Sequence, residues 1–501
     1  MKKLTTLLLT LTLAACAAPA ISPPTATAPA PFIEPALSEA EGTAAPPAGL
    51  PSPTATLLPT LPPTATLEPT LTPTASAGGQ SAGDGYAPEM GNSGYDAQHY
   101  DLKLSLDPAV TYVEASATIR AVSQVHNLIQ LTVDFSGFDI HALTVDGVPA
   151  EYSRNRGKLT ITLPAPLHLG QEFEISVDYS GIPVQTGSAY VPFIHHLGLQ
   201  FLGTNLYALN EPDGAHYWYP CNDTPLDKAA YTIALTVPAG LEGIANGRMM
   251  EETAGGGVST FTWDNPYPTA SYAVTLVVGD YQLLSDTSPS GIPIEHYIFE
   301  DIRQPFLDAA GVTGEALDWM SERFGAYPFG SFGFVTTRLI RASLETQGRV
   351  ILSENMLNEE TVIHEIAHMW FGDWVTMESW SDMWHTEGFA VYLSLMWQTR
   401  EQPGALNIFM QNLAAEVERE GSADPLGHLA PQRIYGFDSY QRGALMIHHL
   451  RLTLGDEAFF AGLRLYFKRY GGGTASRAEF IAVMEEAGGV ELDAFFAEWL
   501  E

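Results

Sequence analysis

The chain has 501 residues, room for two or three domains with sizeable cores, and 46% of them are hydrophobic. Its 23 Lys and Arg stand against 58 Asp and Glu, a formal net charge of −35. So acidic a surface disfavours nucleic acid and anionic lipid, and two cysteines, Cys16 and Cys221, exclude a disulfide framework.

Residues 1–15 read as a signal peptide: Met1-Lys2-Lys3, then an apolar run from Leu4 to Ala15 that is too short to span a bilayer. It ends in Leu13-Ala14-Ala15-Cys16, which resembles a bacterial lipobox and implies cleavage before Cys16 and a lipid there. With no other stretch apolar enough to span, that lipid is the expected contact with membrane, at the cell surface or in another extracytoplasmic location. Residues 16–92 are rich in Pro, Thr and Ala, with two similar ten-residue units at 53–62 and 63–72. Proline recurs too often there for helix or sheet, so the segment reads as a disordered, partly polyproline stalk.

Over residues 93–289 the pattern changes to short alternating runs, among them 99–106, 117–122, 159–163, 173–177, 231–237 and 272–278. With turn signals at Asp146-Gly147 and Asn246-Gly247, this is an all-β domain. A loop-like run at 285–291 suggests the boundary. Residues 290–501 are mostly helical, with strand-like runs at 292–299 and 332–338.

The chemistry concentrates in His364-Glu365-Ile366-Ala367-His368. On a helix, two histidines four apart share one face and can meet at one metal, and the intervening Glu365 can deprotonate a water held there. Asn358 is a plausible N-cap and Gly372 a natural stop. Glu387, nineteen residues after His368, can return on a second helix as third ligand. Two His and one Glu would bind a single Zn²⁺ and leave the fourth position open, the catalytic arrangement.

His364-Glu365-Ile366-Ala367-His368-Met369-Trp370-Phe371-Gly372 together with Trp384-His385-Thr386-Glu387-Gly388 resembles the M1 zinc aminopeptidases, the group that includes leukotriene A4 hydrolase. The resemblance implies a saddle-like β-domain followed by a thermolysin-like catalytic domain, and cleavage of N-terminal residues from peptides that carry a free amine. It carries over further roles. Glu345, within Ala342-Ser343-Leu344-Glu345-Thr346, and Glu211, within Leu209-Asn210-Glu211, would bind the substrate's amino terminus. Tyr440 would stabilise the oxyanion, with Arg442 where the family has Lys; Tyr435 reads as a core neighbour. Cys221, within Pro220-Cys221-Asn222-Asp223-Thr224-Pro225, reads as a packed thiol, and His385 as a pocket-lining or structural residue. Family members usually continue into a helical superhelix, so here the cleft is expected to be open on one side or closed by a partner. A thermolysin-like endopeptidase, an epoxide hydrolase and a non-catalytic surface-binding protein remain as alternatives.

Overall fold

The computed structural model describes residues 75–188, 195–338 and 342–501. The expected signal peptide, Cys16 and the two Pro/Thr units lie outside the described residues. Among the described residues no helix is long and apolar enough to cross a membrane.

The N-terminal domain is built on an eight-stranded sheet. In spatial order its strands are Arg248–Gly255, Val258–Thr269, Ala229–Pro238, Tyr95–Leu106, Val113–Ser123, Glu172–Gly181, Asp139–Val145 and Val148–Pro149. The alternation legible in the sequence is the alternation of the pleat: Leu102, Leu104 and Leu106 are buried while Lys103 and Ser105 between them are exposed. Two four-stranded sheets complete the domain. One carries Asn205–Leu209, whose C-terminal end delivers Glu211.

The C-terminal domain begins with a four-stranded sheet of Gln282–Thr287, Pro293–Ile298, Gly333–Thr337 and Arg349–Ser353, and continues into helices. Each domain has its own apolar core. One gathers Tyr100, Ile119, Val133 and Trp218, and the other gathers Ile363, Trp370, Phe389 and Phe480.

Three expectations are corrected. The run 285–291 is a hairpin turn rather than a linker: Gly291 N–H donates to the Ser288 carbonyl (2.9 Å), and Gln282–Thr287 pairs with Pro293–Ile298. The sheet of the second domain therefore starts before residue 289. Of the 272–278 run only 276–278 is strand, within Leu276–Gly279, because Ser271–Ala273 forms a 3-10 turn held by Ser271 Oγ on Asp223 (2.7 Å) and Tyr272 OH on the Gly372 carbonyl (3.1 Å). Finally, the chain is already part of the fold well before residue 93. Ser76–Ala77 pairs with Leu128–Asp134, and Ala87 and Met90 are buried in the second domain's core. An alternating or apolar local pattern is not needed for a segment to be captured by surfaces formed elsewhere.

Candidate metal and peptide site

The histidine helix is Glu359–Ala367, capped by Asn358, whose Oδ1 accepts the Thr361 N–H (2.9 Å). It stops at Ala367 rather than running to Gly372. His368 is its C-cap, and the chain then turns so that Asp373 N–H bonds back to the His368 carbonyl (3.0 Å). Gly372, at φ 122°, permits that turn. The same turn orients a ring: His368 Nδ1 donates to the Phe371 carbonyl (3.2 Å), which leaves the Nε2 lone pair facing the site.

Glu387 arrives on the Met383–Gln398 helix. A side chain on its neighbour Gly388 would place its Cβ 2.8 Å from the Gly443 carbonyl carbon, so this glycine lets the helix pack directly on the chain that carries Tyr440. Glu387 Oε2 lies 3.1 Å from His364 Nε2 and 3.7 Å from His368 Nε2, and the three donors fall within 4.8 Å of one another. Burial pushes His364 down to about 4 and lowers His368, so both imidazoles are neutral near pH 7. A buried carboxylate oxygen is thus surrounded by imidazole lone pairs, and among the described residues it has no hydrogen-bond partner. That arrangement is unfavourable by itself and fits one divalent cation bound by two nitrogens and an oxygen, a zinc donor set.

Around this triad the structure gathers the other named carboxylates. Glu365 is buried, and desolvation followed by Glu345, Glu387 and Asp373 raises its pKa well above the ordinary value. Glu345 is also buried. Its segment joins the sheet through a single bridge, Leu344 to Ile351. The lock is Gln347, which sequence reasoning missed and which no motif marks. Its Oε1 accepts from Thr269 Oγ1 (2.5 Å) and Asn265 Nδ2 (3.1 Å), and its Nε2 donates to the Pro268 carbonyl (3.0 Å).

Glu211 follows Asn210, which is itself fixed between the Val274 carbonyl (2.7 Å) and Trp218 Nε1 (2.8 Å). Glu211 and Glu345 are neighbours, and the first is raised well above its ordinary pKa by burial and then by the second. Tyr435 is corrected from a core neighbour to a site residue: its hydroxyl donates to Glu211 Oε1 (3.0 Å).

Tyr440 sits in a π-helical turn, Asp438–Arg442, a widening that often marks functional positions. Its ring lies parallel to that of His364 (centroids 6.1 Å, interplanar angle 1°), and the phenol faces Glu387. Arg442 points elsewhere, donating to the carbonyls of Ser422 (3.1 Å) and Asp424 (2.6 Å).

Three further residues resolve plainly. His385 is enclosed by the rings of Phe371, Phe389, Tyr466 and Phe480, so it is structural and no ligand. Cys221 is fully buried, and desolvation pushes its thiol up, as expected of a packed residue. Lys228 donates to the carbonyl of Asp373 (2.8 Å), pinning the turn after the histidine helix to the first domain; burial pulls its pKa down to about 7.

Comparison with known proteins agrees with this geometry. Residues 96–273 match the peptidase M1 N-terminal domain, and residues 322–499 match the peptidase family M1 domain. Aminopeptidase N of Streptomyces lividans is 25% identical over 80% of this chain and 50% of its own length. Human glutamyl aminopeptidase is 27% identical over 58% of this chain and 33% of its own. The chain spans about half the length, or less, of the curated relatives it matches. Among solved structures, an M1 zinc metallopeptidase of Deinococcus radiodurans, in a mutant form with a Tyr-Ser-Ala substrate, superposes with a TM-score of 0.79 at 28% identity. That match covers 84% of this chain and 98% of the other. With both domains matched in order and the histidines and carboxylates gathered between them, this chain belongs to peptidase family M1.

Proposed function

We propose that the chain is a zinc aminopeptidase that removes single residues from the free N-terminus of peptides. The observation that carries this reading is the pair of half-buried Glu211 and buried Glu345 beside the His364–His368–Glu387 triad, with no cationic side chain among the described residues paired to either. Two carboxylates in a desolvated pocket favour an ammonium group there, and an ammonium anchored next to the metal limits cleavage to the first peptide bond. An internal segment of a polypeptide offers no such charge.

Bound zinc supplies Lewis acidity toward water and toward the scissile carbonyl oxygen. Glu365, buried and raised in pKa, takes the proton of the attacking water and returns it to the leaving amine. The Tyr440 hydroxyl donates a hydrogen bond as the carbonyl oxygen gains charge. Tyr435 holds Glu211 in place.

The test is turnover of an aminoacyl anilide against its N-acetylated twin, with bound metal measured in parallel. The free amine is expected to react faster by about two orders of magnitude, because acetylation leaves both carboxylates unpaired. Glu345→Gln should raise KM by about 10–100-fold, each tenfold being about 1.4 kcal/mol. Equal turnover of the twins would mean an endopeptidase, and no turnover with zinc bound would mean a binding protein.

Delivery to an extracytoplasmic membrane surface through a lipid on Cys16 is part of the same proposal, supported by the Leu13-Ala14-Ala15-Cys16 sequence. Cys16→Ser should release the chain from the membrane fraction.

A further inference from the structure

Residues 78–94 form a closed excursion. Near its start Gly78 N–H donates to the Gln130 carbonyl (2.8 Å); near its end Ser93 N–H donates to the Gly79 carbonyl (3.1 Å). Gly94 packs so closely on Gly78 that a Cβ would come 2.8 Å from its Cα. Both feet therefore stand on the first domain, and the loop is braced across its middle by Ala82 N–H on the Met90 carbonyl (3.0 Å).

The tip reaches the second domain. Asp84 is buried and accepts three hydrogen bonds, from its own loop at Tyr86 N–H (2.9 Å) and from Ser379 Oγ (2.8 Å) and Trp380 N–H (3.1 Å). Tyr86 OH donates to the Leu429 carbonyl (2.6 Å). Ala87 and Met90 fill the core beneath.

Both landing points feed the site. Ser379 and Trp380 open the 3-10 turn that runs directly into the helix of Glu387. Leu429 lies between two short 3-10 turns on the segment that leads to Tyr435 and Tyr440. One loop thus touches the two stretches of chain that deliver a metal donor, the Glu211 partner and the oxyanion donor.

We propose that residues 78–94 are an interdomain strap and that Asp84 and Tyr86 are positioning residues for the site, holding the Trp380 turn and the Leu429 segment in place. The consequence for catalysis rests on the aminopeptidase reading; the mechanical consequence does not.

The experiment uses the full chain carrying Asp84→Ala or Tyr86→Phe, each alone and combined with Tyr440→Phe. Amide exchange in residues 380–387 and 426–440 should accelerate about tenfold, the loss expected for one or two buried hydrogen bonds, while exchange in the Tyr95–Leu106 strand stays unchanged. Tyr86→Phe should lower kcat about three- to tenfold with zinc content retained. That loss should shrink when Tyr440 is already Phe, since the strap acts partly through that tyrosine. Unchanged exchange in both segments overturns the proposal. So does faster exchange throughout the molecule with a kcat loss that adds independently to that of Tyr440→Phe, for then the loop only contributes general stability. Should the wild-type chain turn over no aminoacyl substrate, the aminopeptidase reading fails while the exchange pattern still decides the strap.

Discussion

Two regions treat buried carboxylates in opposite ways: the cluster around Asp134 and Asp227 in the first domain, and the candidate site in the second, a domain that elsewhere matches its buried Asp382 and Asp438 with Arg477 and Arg433. In the first, acids are matched by donors of the protein itself. Asp134 meets Lys158 (2.5 Å), Asn92 Nδ2 (2.8 Å) and Asp223 N–H (3.0 Å), and Asp227 takes Asn222 Nδ2 (2.6 Å) and Ala97 N–H (3.1 Å). In the second, Glu387 Oε2 and both oxygens of Asp373 are buried without a hydrogen-bond partner among the described residues, and Glu365 is buried among like charges. Burying an acid is costly unless a proton, a donor or a cation compensates it. The Asp134–Asp227 cluster carries its compensation permanently, whereas the site leaves carboxylate oxygens that a bound cation would compensate.

The largest expected effect breaks the comparison at the site. Glu365→Gln keeps shape and removes the proton acceptor, so kcat should fall about 10²–10⁴-fold while metal content, measured by atomic absorption, stays at the wild-type level. A general packing role for Glu365 would instead show as a loss of Tm with little loss of kcat. Next comes the structural counterpart. Asp134→Ala strands the ammonium of Lys158, which is largely buried, and should cost about 3 kcal/mol in chemical denaturation while kcat per folded molecule is unchanged.

The smallest effect sharpens the contrast through pH. Burial, with Asp96 close by, pushes Asp227 from its ordinary value of 3.8 up to about 7. Between those values the folded chain holds a proton that the unfolded chain releases. The associated stability is therefore complete below about pH 4 and is lost as pH rises through about 7. Relative to Asp227→Asn, the wild-type protein should lose on the order of 2 kcal/mol across that range, measured as the difference between two denaturation series. An unchanged difference from pH 4 to 7 would mean that Asp227 stays ionised.

Much of this was legible in the residues because its cause is local. Alternation in 99–106 needs only a pleat with one wet face, and the four-residue histidine spacing needs only a helical turn. Tyr435 and Gln347 were opaque for the converse reason. A tyrosine in an amphipathic stretch and a glutamine beside a turn carry no periodic mark, and their partners, Glu211 and Thr269, are far along the chain. The hairpin at 285–291 looked like a linker because turn residues serve both, and only the pairing of its flanking strands distinguishes them.

By itself, then, the amino-acid sequence determined the two-domain order, the β and helical characters of the halves, and the identity of the donor residues, since propensity, period and side-chain chemistry act over a few residues. Tertiary structure alone decided that Glu387 meets His364 and His368, that Glu211 reaches Glu345 and Tyr435, and that the segment before residue 93 straps the two domains together. Those contacts close loops of tens to hundreds of residues, and they are specified by the fit of surfaces that exist only once the rest of the chain has folded.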